Sequence, residues 1–152
     1  MDMAAVGKAY SIDELEVGMS ASLAKSVSDS DIVSFAEISG DHNPVHLDQA
    51  YAERSMFKGR IAHGMLSAAF ISAVFAMRLP GPGCIYVSQS LKFKAPVRIG
   101  DTVIATVTVA AIDRERRRVT FDTDCKVGDT VVVEGPAVLL VPAAKPSAVA
   151  AE

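Results

Sequence analysis

The chain has 152 residues, half of them hydrophobic and 22% charged, with a mean hydropathy of +0.29. Such a length and apolar content suit one domain with a real core and exclude an extended disordered chain. A net charge of −3, from 18 acidic and 15 basic residues, gives no general attraction to nucleic acid or to anionic membranes.

Met1 to Tyr10 carries one lysine and no apolar run, so a loose arm over 1–10 without a signal peptide is expected. Ser20 to Val27 alternates, with Ala21, Leu23 and Val27 on one parity, as a strand does. Ser28 with Asp31 three residues on is an N-cap signal, and Ile32, Phe35 and Ala36 share a helical face before Gly40. The spacing predicts a helix over about 29–39. A loop from Asp41 to Leu47 leads to a second short helix, capped by Asp48 and running to about Arg54.

From Gly64 to Leu79 only Ser67 and Ser72 interrupt the apolar run before Arg78, and Pro80 stops it. A helix of that kind is expected to be buried all round, and it is too short to span a membrane. From Ile85 the pattern is β. Ile85, Val87, Leu91 and Phe93 face one way and Ser88, Ser90, Lys92 and Lys94 the other, predicting one strand over 85–94. Val103 to Val109 and Val119 to Cys125 alternate in the same manner, and Thr130 to Val141 is apolar on both parities. The turns at Gly100-Asp101, Asp113 to Arg116 and Gly128-Asp129 predict a four-strand antiparallel meander. Pro136 predicts an edge position or a bulge for the last strand. The expected class is α+β: a single domain over 11–141 and an Ala/Pro-rich tail over 142–152.

The loop Ser39-Gly-Asp-His-Asn-Pro-Val-His46 places Asp41, His42, Asn43 and His46 between two helices. A carboxylate and an imidazole converging on one water can take and return a proton near pH 7. On spacing alone a polar turn is the commoner reading. A metal site is the weaker reading, because no third ligand has a suitable spacing and His63 stands alone. Cys84 and Cys125 match no metal or redox spacing and read as free core thiols of a reducing compartment. Arg60-Ile-Ala-His-Gly64 starts the apolar helix without a Ser, Thr, Asp or Asn cap. Its N–H groups are an anion or oxyanion site, or else Gly64 is a permissive cap or close-packing position. Ser67 and Ser72 read first as hydroxyls bonded back one turn, and the arginines at 114 and 116–118 as a solvated turn.

Taken together, Phe35-Ala-Glu-Ile-Ser-Gly-Asp-His-Asn-Pro-Val-His-Leu-Asp48 and Phe57-Lys-Gly-Arg-Ile-Ala-His-Gly-Met65 resemble the MaoC-like, (R)-specific enoyl-CoA hydratase family (hydratase 2) in its short form. Lys92-Phe-Lys-Ala-Pro-Val97 with Gly100-Asp101 is similar as well, and the resemblance runs from about Ile12 to Val141. It implies a hot-dog fold, a long helix wrapped by an antiparallel sheet, and a cytoplasmic homodimer that takes an acyl-CoA substrate. By the same resemblance Asp41 and His46 are the catalytic pair, and Gly64 supplies the N–H for the thioester oxygen. Asn43 supports the loop or the water, Ser72 lies near the site, and no cofactor or metal is needed. The acyl pocket is expected in Tyr51 to Lys58 and on the apolar helix. A hot-dog thioesterase and a non-catalytic acyl-CoA-binding protein are the competing readings.

Overall fold

The computed structural model describes residues 6–144. Helix α1 spans Asp29–Ser39, and Ser28 caps it: its hydroxyl accepts the Asp31 N–H while the Asp31 carboxylate accepts the Ser28 N–H. Two short helices follow, α2 (Pro44–Leu47) and α3 (Gln49–Glu53), and then α4 (Gly64–Met77). The pattern reading placed α1 and α3 and missed α2. That single turn starts at Asn43-Pro44, where a fixed proline φ favours the first helical position.

The strands are β1 (Ser20–Ser26), β2 (Ile85–Gln89), β3 (Lys92–Phe93), β4 (Thr102–Asp113), β5 (Arg118–Val127) and β6 (Thr130–Leu140). They form one antiparallel sheet in the order β1-β4-β5-β6-β2, with β3 also on β6. The inner face carries Val103, Ala105, Val107, Val109, Val119, Phe121 and Cys125, all buried against α4. The outer face of the β1–β4 pair is polar, with hydroxyls meeting across the strands at Ser22–Thr106 (2.8 Å) and Ser26–Thr102 (2.9 Å). This is the hot-dog arrangement.

Three expectations are corrected. The meander is three strands, β4 to β6, because β2 pairs with β6 and β4 pairs with β1. The run 85–94 is two strands, and Ser90 and Leu91 between them break the ladder. Pro136, with no N–H to donate, stands opposite that break, so β6 is internal and the interruption belongs to its partner. Finally, α4 is not covered all round. Met65 is 59% exposed, Ala69 and Ala76 are exposed, and the apolar face of β2 is open too, with Ile85 at 55% and Val87 at 48%.

At the other end of α4, Gly7 N–H donates to the Met77 carbonyl (2.8 Å) and Tyr10 N–H to the Pro80 carbonyl (2.8 Å). Residues 1–5 and 145–152, which hold half of the expected arm and most of the expected tail, lie outside the described residues.

Phe75 and Phe121 are the largest fully buried side chains among the described residues. The Phe75 ring meets Phe121 edge-on at 4.8 Å and Tyr86 at 5.3 Å, tying α4 to β5 and β2. Phe75→Ala is expected to cost ~3–5 kcal/mol in urea unfolding, whereas a loss under about 1 kcal/mol would show that this contact is not central to the core.

Candidate active site

The site forms where the 41–46 loop meets the segment that leads into α4. Gly40 ends α1 with φ +80°, a left-handed conformation that few residues other than glycine adopt, and its N–H closes on the Ala36 carbonyl (2.9 Å). The chain then turns into Asp41, whose Oδ1 accepts the Asn43 N–H (3.1 Å). Asn43 caps α2, its Oδ1 accepting the Val45 N–H at 3.2 Å. Asn43 therefore supports the loop through the backbone. His42 is exposed and stands apart from the converging groups.

The 60–63 segment holds the loop with four hydrogen bonds. Arg60 Nε donates to the His46 carbonyl (2.6 Å) and Ile61 N–H to the Val45 carbonyl (3.3 Å). His46 Nδ1 bonds the Ile61 carbonyl (2.8 Å), and His63 Nε2 bonds the Asp41 carbonyl (2.9 Å). The segment is anchored from behind by Ala62 N–H on the Val97 carbonyl (2.7 Å) and by the Arg60–Asp29 ion pair (2.7 Å).

Each bond fixes a tautomer. A carbonyl only accepts, so His46 carries its proton on Nδ1 and presents a bare Nε2 to the site. His46 is 8% exposed, and burial, opposed by its bond to Ile61, holds its pKa below the ordinary 6.5; nearby His63 adds to the lowering. The imidazole is thus neutral at pH 7, as a general base must be.

Polar atoms of Asp41, His46 and His63 lie within 4.8 Å of one another. Spacing gave no hint that His63 joins the pair, and its isolation in the sequence does not carry over to the fold. The His46 and His63 rings stack at 3.8 Å with 29° between their planes. Carboxylate and imidazole groups of this kind are also those that divalent metals take as ligands.

Gly64 is the first residue of α4. The side chain of His63, the cap residue, makes no cap hydrogen bond, so no side chain takes the N–H of Gly64, and the positive end of the helix starts directly beside His63. Gly64 is also a close-packing position: a Cβ there would stand 2.6 Å from the Phe93 ring. Phe93 borders two cavities. One, of about 670 Å³, runs along the open stripe of α4 past Met65, Ala68, Ala69 and Ser72 to Tyr86 and Gln89. The other, of about 390 Å³, lies between His63, Gly64, Met56, Phe57 and Lys94.

Ser72 thus lines a cavity wall, apart from the Asp41–His46–His63 cluster. Of the expected pocket stretch, only Met56 and Phe57 line either cavity; Tyr51, Arg54 and Ser55 border a separate small hollow. At the end of the larger cavity the Tyr86 hydroxyl bonds Gln89 Oε1, and the Gln89 amide donates to the Ser90 carbonyl (3.0 Å) and to Thr123 Oγ1 (3.1 Å). Burial pushes the Tyr86 phenol up to about 12, so it stays protonated. These polar groups satisfy one another and leave a wall that suits an apolar chain.

The sequence matches the family described as MaoC like domain over residues 13–134. It is 61% identical over 131 residues to the (R)-specific enoyl-CoA hydratase of Rhodospirillum rubrum, covering 86% of this chain and 91% of that protein. With the 3-hydroxybutyryl-CoA dehydratase of Methylorubrum extorquens it shares 53% over 130 residues, 86% of this chain and 83% of the relative. The structure superimposes on the (R)-hydratase from A. caviae involved in PHA biosynthesis with a TM-score of 0.82 and 42% identity, covering 85% of this chain and 98% of that one.

The lowered His46 pKa makes a direct prediction. In an NMR titration of the native protein the His46 ring takes up its proton with a midpoint below 6.5. Unfolded chains, at the ordinary value, bind that proton first, so acidification through this range also removes stability. A midpoint at or above 6.5 would contradict the buried, neutral assignment.

Proposed function

The chain belongs to the MaoC-like domain family, and from that premise we propose that it is an (R)-specific enoyl-CoA hydratase, adding water reversibly to a trans-2-enoyl-CoA to give an (R)-3-hydroxyacyl-CoA. The observation that carries the reading is the convergence of the Asp41 carboxylate and the bare His46 Nε2 beside the start of α4.

In this reading one water lies between Asp41 and His46 and above C3 of the substrate. As its oxygen bonds to C3, His46 Nε2 takes the water's proton, and the C2=C3 electron pair moves toward the thioester carbonyl. The resulting enolate oxygen accepts the Gly64 N–H, helped by the positive end of α4. The imidazolium then returns its proton to C2 from the face at which oxygen entered, restoring the neutral ring. Asp41 accepts a hydrogen bond from the water's other O–H, which stays on oxygen as the product hydroxyl, and steadies the imidazolium. Every proton and electron pair is accounted for by water, the substrate and these side chains, so no metal or cofactor is required. The acyl chain takes the larger, apolar cavity, and Ser72 stands along its path.

The open edge of β2 and the exposed stripe of α4 support a homodimer. A second copy laid along β2 would extend the sheet and roof the cavity, covering Ile85, Val87 and Met65. Two free thiols, Cys84 and Cys125, support a reducing compartment such as the cytoplasm. No helix among the described residues is long and apolar enough to cross a membrane.

Crotonyl-CoA hydration tests the assignment. Asp41→Asn and His46→Gln are each expected to lower kcat by ~10²–10⁴-fold with the circular-dichroism spectrum unchanged. Enoyl absorbance should fall without release of free thiol, and chiral analysis should find the (R) alcohol. Thiol release would point to a thioesterase, tight binding without turnover to a carrier, and near-normal activity in either variant would remove the proposed pair.

A further inference from the structure

His63 takes no part in the chemistry just described, yet it is 2% exposed and lies at the meeting point of every group that does. Its Nε2–H donates to the Asp41 carbonyl (2.9 Å), its face stacks on His46 (3.8 Å), and Phe35 of α1 packs against the same ring at 4.9 Å. Its backbone is the cap of α4, so it also sets where Gly64 begins the helix. Its Nδ1 is buried and has no hydrogen-bond partner. A proton there would be a buried donor without a partner, whereas the Nε2–H tautomer leaves only a bare lone pair.

A leucine or phenylalanine would fill this space without an unmet nitrogen. What neither supplies is one N–H donor and one flat polarisable face at right angles to it. The donor stops the Asp41 backbone from drifting, and the face sets the plane of the His46 ring.

We propose that His63 is a positioning residue for the hydration, its ring spacing Asp41 from His46 and referring both to the helix start at Gly64. The inference rests on the hydratase reading above. The charged and titratable groups that face the imidazole pair are the Asp41 carboxylate and, at the His46 carbonyl, the Arg60 guanidinium paired with Asp29. Close stacking also works against a second charge in the pair, and His63 is among the causes that hold the His46 pKa down.

Two variants separate the ring from its donor. His63→Gln keeps an amide N–H for the Asp41 carbonyl and removes the ring; His63→Phe keeps the ring and removes the donor. Each is expected to lower kcat for crotonyl-CoA by about tenfold to a hundredfold, the scale of a small misplacement, with KM little changed. In His63→Gln the acid limb of kcat/KM moves to higher pH, because His46 loses its stacked neighbour and gains water.

A packing role alone would lower thermal stability and leave kcat and the acid limb of the folded enzyme as they were, and that result would overturn the proposal. Imidazole ¹⁵N NMR of the wild-type protein needs no variant. Protonated Nε2 with bare Nδ1 on His63 at neutral pH supports the proposal, and an Nδ1–H tautomer or an imidazolium overturns it. If Asp41→Asn and His46→Gln are inactive while both His63 variants keep wild-type kcat, only this inference fails. If the Asp41 and His46 variants are fully active, the hydratase reading fails with it.

Discussion

The site depends on a seam of main-chain carbonyls. Asp41, Val45, His46 and Ile61 each offer a carbonyl oxygen, and side chains or N–H groups of the facing segment take all four. Neither segment is a strand, so no sheet ladder holds them. The seam replaces one with three side-chain bonds, two of them from histidines and one from Arg60. Bonds of this kind are modest singly, about 0.5–1.5 kcal/mol net, but they are expensive to leave unmade inside a protein. That asymmetry makes the geometry of Asp41 and His46 close to all-or-none.

The electrostatic state of the site follows from the same contacts. Tying Nδ1 of His46 to Ile61 determines which nitrogen is bare, and burial keeps it bare at neutral pH. Gly64 then contributes by what it lacks. Without a side chain the helix start makes room for the Phe93 ring and, in the proposed reaction, for the thioester oxygen near the positive end of α4. Beyond the helix start, small residues along α4 leave an apolar cavity that ends at a self-satisfied Tyr86–Gln89 pair. The apolar excess of the composition is therefore partly core and partly cavity wall.

Local patterns made much of this legible. Ser28 and Asp31 announced α1, alternation placed the inner faces of β4 and β5, and the family resemblance drew attention to the segments around Asp41 and Gly64, which the fold brings together. Long-range pairing was not legible. Turn signals say that neighbouring strands reverse, but not that β2 crosses to β6 while β4 joins β1. Alternation in 85–94 separates an apolar from a polar face, but periodicity cannot tell a core from a face left open at a sheet edge. His63 and Arg60 stood inside a motif that had been singled out, and still their work was invisible. Twenty-two residues separate His63 from Asp41, and only the fold brings that ring onto His46.

The central claim is that water and proton reach the substrate from one side, because Asp41 and His46 are held on one side. Hydration of crotonyl-CoA in D₂O reads this directly through the relative configuration at C2 and C3 of the product. A pair acting from a single face gives the (R)-3-hydroxy product with deuterium at C2 on the same face as the hydroxyl. Deuterium on the opposite face would require an acid that neither residue can be.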